Sequence, residues 1–315
     1  MILRSLLYQV LLWGIATMIF LALLFLPRTT NYTTGPRGMF ISAKYDYSVK
    51  AHVQQFKDFF TYVKENKGLG TVYNGNSLNE NIIRTFKKSM MITIPALILG
   101  FFLGIAKGVF DFRIRRRRGK LFGVSTTRFF LSIPDLFLII SLQLLIMEGY
   151  EAGILPHIKV YGSDEPSVIL LDIIFLVIYP LFYIANITYF SILDEQGMDY
   201  IRTALSKGTS SFKVLYRHVL KNCYVKILSH TNTITLYTLS NLFIVEYLTN
   251  YRGAAFFFYE TLTSPAMFRT GQQLEIGIYP AAGYIILFTA LIFISKVLSQ
   301  IARGLISPIE RQGSS

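Results

Sequence analysis

Residues able to do chemistry are few in this chain, and their spacing assembles no enzyme centre. Cys223 is the single cysteine, which excludes an intrachain disulfide and a cysteine-based zinc site. The four histidines show no HExxH or HxxxH spacing, so no catalytic metal is expected. Gly119-Lys120 is followed by Leu121 rather than Ser or Thr, and the upstream glycine is missing. The chain therefore has no Walker A loop to cradle ATP phosphates, and no enzyme activity is expected of it. What remains is a set of polar side chains inside apolar runs. Ser229, Thr233, Tyr237, Ser240 and Asn241 recur at helical spacing, and Glu246 follows at the far end of the same run. Polar groups inside a membrane segment face protein or water rather than lipid. The stripe therefore reads either as a wall of a solute pathway or as hydrogen bonding between neighbouring helices. Glu246 is hydrated, paired with Arg252, or functional. Asp172 reads as solvated near an interface, and Asp135, after Pro134, as a helix-start residue.

The elements that must position these residues are membrane helices. Of 315 residues 52% are hydrophobic and 16% charged, with a mean hydropathy of +0.45. A soluble domain carries about a quarter charged residues. The balance of 31 basic against 18 acidic residues, +13, suits nucleic acid or anionic lipid alike. Hydropathy decides for the membrane, and no nucleic-acid partner is expected. Six apolar runs approach the roughly 20 residues that cross a bilayer: about Leu6–Leu26, Met90–Phe110, Ser125–Met147, Val168–Ile192, Leu228–Leu248 and Ile278–Ile301. The first is longer than a signal-peptide core and lacks a small-x-small cleavage site, so it reads as a retained anchor.

Charge orients the spans. Arg113-Ile-Arg115-Arg116-Arg117-Arg118-Gly119-Lys120 holds six basic residues in eight, a topology anchor against anionic headgroups. Asp194–Lys226 sets six bases against three acids, whereas Glu148–Glu165 holds four acids and one base, Lys159. The positive-inside rule places both basic loops and both termini in the cytoplasm. The long segment Pro27–Lys88 then lies outside; it is mixed polar and aromatic, with a helix expected around Val53–Lys64 and turns at Gly68-Leu-Gly70 and Asn74-Gly75-Asn76. The fold class is thus an all-α membrane protein of six transmembrane helices. Residues 1–86 form the first helix and external segment, 87–308 a five-helix core with a cytoplasmic loop at 194–226, and 309–315 a cytoplasmic tail. Gly100, Gly104 and Gly108 form a small-residue face for close helix contact.

The most patterned stretch is Asp199–Lys226, too polar to cross a membrane. Ile201 and Leu205 share a helix face with Ala204, and Gly208 can end that helix in a left-handed conformation. Thr209, Ser210 or Ser211 can cap the next helix. There Phe212, Leu215 and Val219 form an apolar stripe, and Lys213, Arg217 and Lys221 a basic one. Such a helix–turn–helix either rests on headgroups or docks in a partner's groove.

This loop resembles the EAA loop of binding-protein-dependent ABC importers. Tyr200-Ile-Arg-Thr-Ala-Leu-Ser-Lys-Gly208 and Val214-Leu-Tyr-Arg-His-Val-Leu-Lys-Asn222 are similar to the oligopeptide/dipeptide/nickel permease branch. Gly68-Leu-Gly70, Leu131-Ser-Ile-Pro134, Val245-Glu246 with Tyr251-Arg252-Gly253, and Ser307-Pro308-Ile309 extend the likeness over Gly68–Arg311. The family's Pro-Gly-Asp-Pro after the first span is absent, as is its Trp-Pro-Gly-like turn, replaced by Tyr251-Arg252-Gly253. The resemblance implies a permease subunit of an ATP-driven importer, with peptide as its cargo, in the cytoplasmic membrane of a bacterium. It implies a second permease, most simply a different one, two cytoplasmic ATPase subunits carrying ATP and Mg, and an external solute-binding protein. It also implies that Tyr200, Ile201, Arg202, Thr203, Ala204, Leu205, Ser206 and Lys207 form the coupling helix. Gly208 would be its turn, and Phe212 and Arg217 would stand in the helix behind. Ser229, Thr233, Tyr237, Asn241 and Glu246 are the pathway candidates. Two other readings stand beside it. A self-contained channel or secondary transporter calls for buried charge pairs or an inverted repeat, and neither is legible. The other is a non-transporting assembly or sensory protein on the same fold.

Overall fold

The computed structural model describes residues 2–27, 30–36, 39–71, 75–115, 122–263 and 277–306. In chain order the elements are α1 (Ile2–Leu24), β1 (Thr30–Thr34), β2 (Phe40–Tyr45), α2 (Val49–Glu65), α3 (Leu78–Ile114), α4 (Val124–Ser132) and α5 (Asp135–Glu151). They continue with α6 (Pro166–Glu195), α7 (Asp199–Ser206), α8 (Ser211–Val214), a π-helical turn at Leu215–Val219, α9 (Leu220–Ser229), α10 (Thr231–Thr249), α11 (Ala254–Leu262) and α12 (Ile278–Ile306). Two compact units result, one of Met1–Ser89 with Arg252–Phe293 and one of Met90–Tyr251 with Ile294–Ser315. Arg116–Lys120, Tyr73-Asn74, and the tail from Ser307 with its Ser-Pro-Ile lie outside the described residues.

In the first unit the aromatic residues of the segment after α1 make its core. Phe25 lies between Phe56 and Phe59, ring centroids 4.7 and 4.8 Å away, and Tyr62 stacks on Tyr279 at 4.0 Å. Ser48 caps α2 through the Ala51 amide at 3.3 Å, and His52 Nε2 bonds the Ala22 carbonyl at 2.9 Å. The expected helix around Val53–Lys64 is therefore present and longer at its start. An all-α chain was expected, and here the structure differs: β1 and β2 pair antiparallel, with Thr30 opposite Tyr45 and Thr33 opposite Ser42. A hairpin this short carries no apolar periodicity long enough to announce itself among Gly35, Pro36 and the polar residues of β1. Farther on, the Ser89 hydroxyl accepts the Ala254 amide at 2.7 Å, and Thr85 Oγ1 bonds the Tyr284 hydroxyl at 3.0 Å.

In the second unit α3 and α6 pack through the glycine face. A Cβ at Gly100 would stand 2.6 Å from Pro180 Cβ, and one at Gly108 would stand 2.6 Å from the Ala185 carbonyl oxygen. No side chain fits there, so the small-residue run brings two backbones together. The run expected as one straight span, Ser125–Met147, is instead α4 and α5 meeting at a 100° bend. Pro134 supplies no amide to a continuing helix and pushes Ile133 to extended backbone, φ −84° and ψ 131°. A charge pair with one buried partner is also present, which the sequence reading did not find. Lys107 and Asp111, i and i+4 on α3, form a salt bridge with Asp111 fully buried. Thr127 of α4 donates to Asp111 Oδ2 at 2.6 Å, and Lys107 reaches the Phe122 and Gly123 carbonyls at 3.3 and 3.4 Å. The pair thus fastens α4 to α3 near a helix end.

Among the described residues four helices are long and apolar enough to cross a membrane: Leu6–Leu24, Leu78–Ile114, Pro166–Glu195 and Ile278–Ala302. The bent pair α4–α5 makes a fifth if counted as one span. The 19-residue α10 is long enough but is not among them, because Thr, Asn, Ser and Glu side chains dilute its apolar character.

Candidate functional site

The loop from Asp199 is built by its own backbone chemistry. After α7, the Thr209 amide bonds the Ala204 carbonyl at 3.1 Å and the Gly208 amide bonds Leu205 at 3.0 Å. This crossed pair is a Schellman ending, and Gly208 takes the left-handed φ of +80° that it requires. Ser210 then caps α8, its hydroxyl accepting the Lys213 amide at 3.4 Å.

None of the α7 residues is buried: Ile201 and Ala204 are half-buried, while Arg202, Thr203, Leu205, Ser206 and Lys207 are exposed. Arg202 lies 3.8 Å from Asp199, both in solvent. Two ends of the sequence pattern converge on one carboxylate at the end of α6. Tyr200 donates to Glu195 Oε2 at 2.5 Å and Asn222 Nδ2 donates to the same oxygen at 3.5 Å. Burial, then the neighbouring Glu195 carboxylate, hold the Tyr200 hydroxyl above the ordinary tyrosine range. Lys226 pairs with Asp194 at 2.5 Å. A groove of about 330 Å³ runs beside α7, bounded by Phe112 and Arg113 of α3, Ile192 of α6, Ile201, Leu205 and Phe212.

The expected stripe Phe212–Leu215–Val219 does not form as written. The π-turn, in which the Leu220 amide bonds the Leu215 carbonyl, adds one residue to the helical turn. The face turned inward becomes Val214, Val219, Leu220, Cys223 and Ile227, a core shared with Ile184 and Ile192 of α6. Phe212 is left 59% exposed, lying 5.7 Å from the Arg113 guanidinium and 4.4 Å from the Tyr216 ring. Arg217 and His218 are exposed. Burial pushes the Cys223 thiol up to about 12, consistent with a packing role.

The pathway candidates separate. Ser229 ends α9, bonding the Lys226 carbonyl at 2.6 Å, and is exposed. Thr233 is half-buried, Tyr237 is 42% exposed, and Ser240 is exposed. Asn241 and Glu246 turn inward, at 6% and 0% exposure. Asp172, expected to be solvated, is fully buried, with Thr249 of α10 beside it. Its helix faces α10 there, with Glu246 near enough to act on it electrostatically, so the packing of α6 on α10 removes it from water. The sequence reading missed Tyr179 and Tyr183, which meet Tyr237 and His230 across α6 and α10. Their i, i+4 spacing on an otherwise apolar helix was the available signal.

Residues 96–306 match the family of binding-protein-dependent transport system inner membrane components. That match covers about two thirds of the chain. The chain belongs to this family. The match takes in the loop from Asp199, α6 and α10, and leaves out α1, the hairpin and α2. Among relatives, a dipeptide transport system permease protein of Bacillus subtilis is 25% identical over 74% of this chain and 70% of its own length. An oligopeptide transport system permease protein of the same species is 26% identical over 59% of this chain and 60% of its own. A glutathione transport system permease protein of Salmonella typhimurium is 25% identical over 64% of each chain. The chain therefore spans under two thirds of the latter two proteins. In fold it is similar to a chain of the MetNI methionine ABC transporter solved in inward-facing conformations, with a TM-score of 0.56 and 13% identity, covering 72% of this chain and 96% of that one. The family and its several apolar helices make this a multi-pass membrane protein of the permease kind.

Proposed function

We propose that the chain is the permease subunit of an ATP-driven importer of peptides in a bacterial cytoplasmic membrane. Six spans leave both termini inside, with α10 and the bent α4–α5 pair completing the four longer helices. Its partners are a second permease, two cytoplasmic ATPase subunits that hold ATP and Mg, and an external solute-binding protein. The single observation behind this reading is α7: an amphipathic helix without a buried residue, held by a Schellman turn and anchored through Tyr200 to the end of a membrane helix. In this reading Tyr200–Lys207 seats in an ATPase groove and Gly208 sets its angle. Phe212 and Arg217 back it from the next helix. ATP binding closes the ATPases and biases a bistable helix bundle through that contact.

The test is purification of the tagged chain from its native membrane in mild detergent, with mass spectrometry of what accompanies it. Recovery of a permease and ATPases, with the ATPases lost on Ala204→Arg, is the expected result. A folded chain that comes out alone, and that conducts solute in liposomes without ATP, would overturn the proposal.

A further inference from the structure

Tyr183, Tyr179 and Tyr237 form a continuous stack across α6 and α10. Tyr179 and Tyr183 are nearly parallel at 5.7 Å, and Tyr179 lies against Tyr237 at 3.9 Å with 17° between planes. One end is anchored: the Tyr183 hydroxyl is hydrogen-bonded with His230 Nδ1 at 3.0 Å. The other end is open, since Tyr237 is 42% exposed. Asp135, in the first turn of α5 after the bend, is half-buried and near enough to act electrostatically on Tyr179. The cation beside His230, Lys226, is already engaged by Asp194.

Tyrosines 179 and 183 stand near the middle of the 30-residue α6, at a depth where polar rings open to lipid are disfavoured. Tyrosine prefers the membrane interface, where its hydroxyl is wet. An open, uncharged aromatic face, stacked on a ring that a carboxylate reaches electrostatically, attracts one class of ligand, a cation carried over the ring.

We infer that this tyrosine stack is a subsite of the translocation pathway that holds the ammonium groups of peptides in transit, over the open face of Tyr237 with Asp135 supplying the counter-charge. The inference rests on the peptide-import reading and adds to it a residue-level preference for basic side chains.

The experiment uses the complete transporter purified through this chain, with trilysine, trialanine and triglutamate as probes. Tyr237→Leu should weaken uptake of trilysine, relative to trialanine, by roughly two- to thirty-fold, the range that one cation–π contact supplies. Tyr237→Phe should restore it, because the ring and not the hydroxyl makes the contact, and Asp135→Asn should shift the preference in the same sense as Tyr237→Leu. In parallel, Tyr237→Cys, made together with Cys223→Ser, should react with a water-soluble thiol reagent, and trilysine should slow that reaction more than trialanine. Equal loss for all three peptides would overturn the inference. So would a Tyr237→Cys variant that ignores the reagent and instead crosslinks to the second permease, because the face would then be a subunit contact. If the wild-type transporter takes up none of the peptides, the import reading is what fails. Selective protection by trilysine would then still support the subsite, and absent or equal protection would overturn it.

Discussion

Two helix ends in the same unit carry the same backbone device and meet opposite fates. α7 ends with the Thr209 amide on Ala204 and the Gly208 amide on Leu205; α10 ends with the Tyr251 amide on Glu246 at 3.0 Å and the Asn250 amide on Tyr247 at 3.4 Å. Gly208 and Asn250 both occupy the left-handed region, at φ +80° and +53°. Yet α7 buries no residue, while Glu246, Thr249 and Tyr251 at the end of α10 are all fully buried. The turn is a local property and burial is not. An ending that satisfies its own backbone can be presented to a partner or sunk into a core, depending on what packs around it.

The contrast can be broken at its buried end with the largest effect. Tyr251→Ala should cost about 3–5 kcal/mol by leaving a cavity, read as a lower temperature at which the detergent-solubilised protein loses its monodisperse peak after heating. At the presented end, Gly208→Ala should cost about 1–2 kcal/mol of local strain, since a Cβ is disfavoured in the left-handed region. Its Cβ would meet nothing within 4 Å, so the chain should stay folded and ATPase recovery on purification should fall. Asn250→Gly, the same position at the buried end, should leave both readouts within error of wild type. Ser210→Ala should cost about 1 kcal/mol through loss of the α8 cap, detectable as faster proteolysis of the loop rather than as global unfolding. Arg202→Ala should cost less than about 1 kcal/mol, because the Asp199–Arg202 pair is solvated. If ATPase recovery nevertheless drops, α7 acts through its exposed face; if recovery is unchanged, Arg202 has no part in docking.

Legibility followed range along the chain. The Gly208 turn and the Ser210 cap were readable because each depends on residues within one helical turn. The glycine face of α3 was readable as a contact surface, although its partner, Pro180 through Thr188 on α6, was not. The π-turn was hidden, because periodicity assumes a constant angle per residue and one inserted residue moved the buried face from Phe212–Leu215–Val219 to Val214–Val219–Leu220. The Lys107–Asp111 pair has the i, i+4 spacing of an ordinary surface pair. Its burial depends on Thr127 and the carbonyls of Phe122 and Gly123 arriving from α4.

By itself the sequence determined the apolar runs, the charge of the loops, the helix–turn–helix after Asp199 and the family motif it carries. These are properties of neighbouring residues, set by propensity, capping and backbone sterics. Only the tertiary structure decided that Asp172 leaves water, that Tyr200 and Asn222 share the Glu195 carboxylate, and that three tyrosines stack across α6 and α10. Those outcomes require side chains distant in the chain to meet, and it is the packing of whole helices that brings them together.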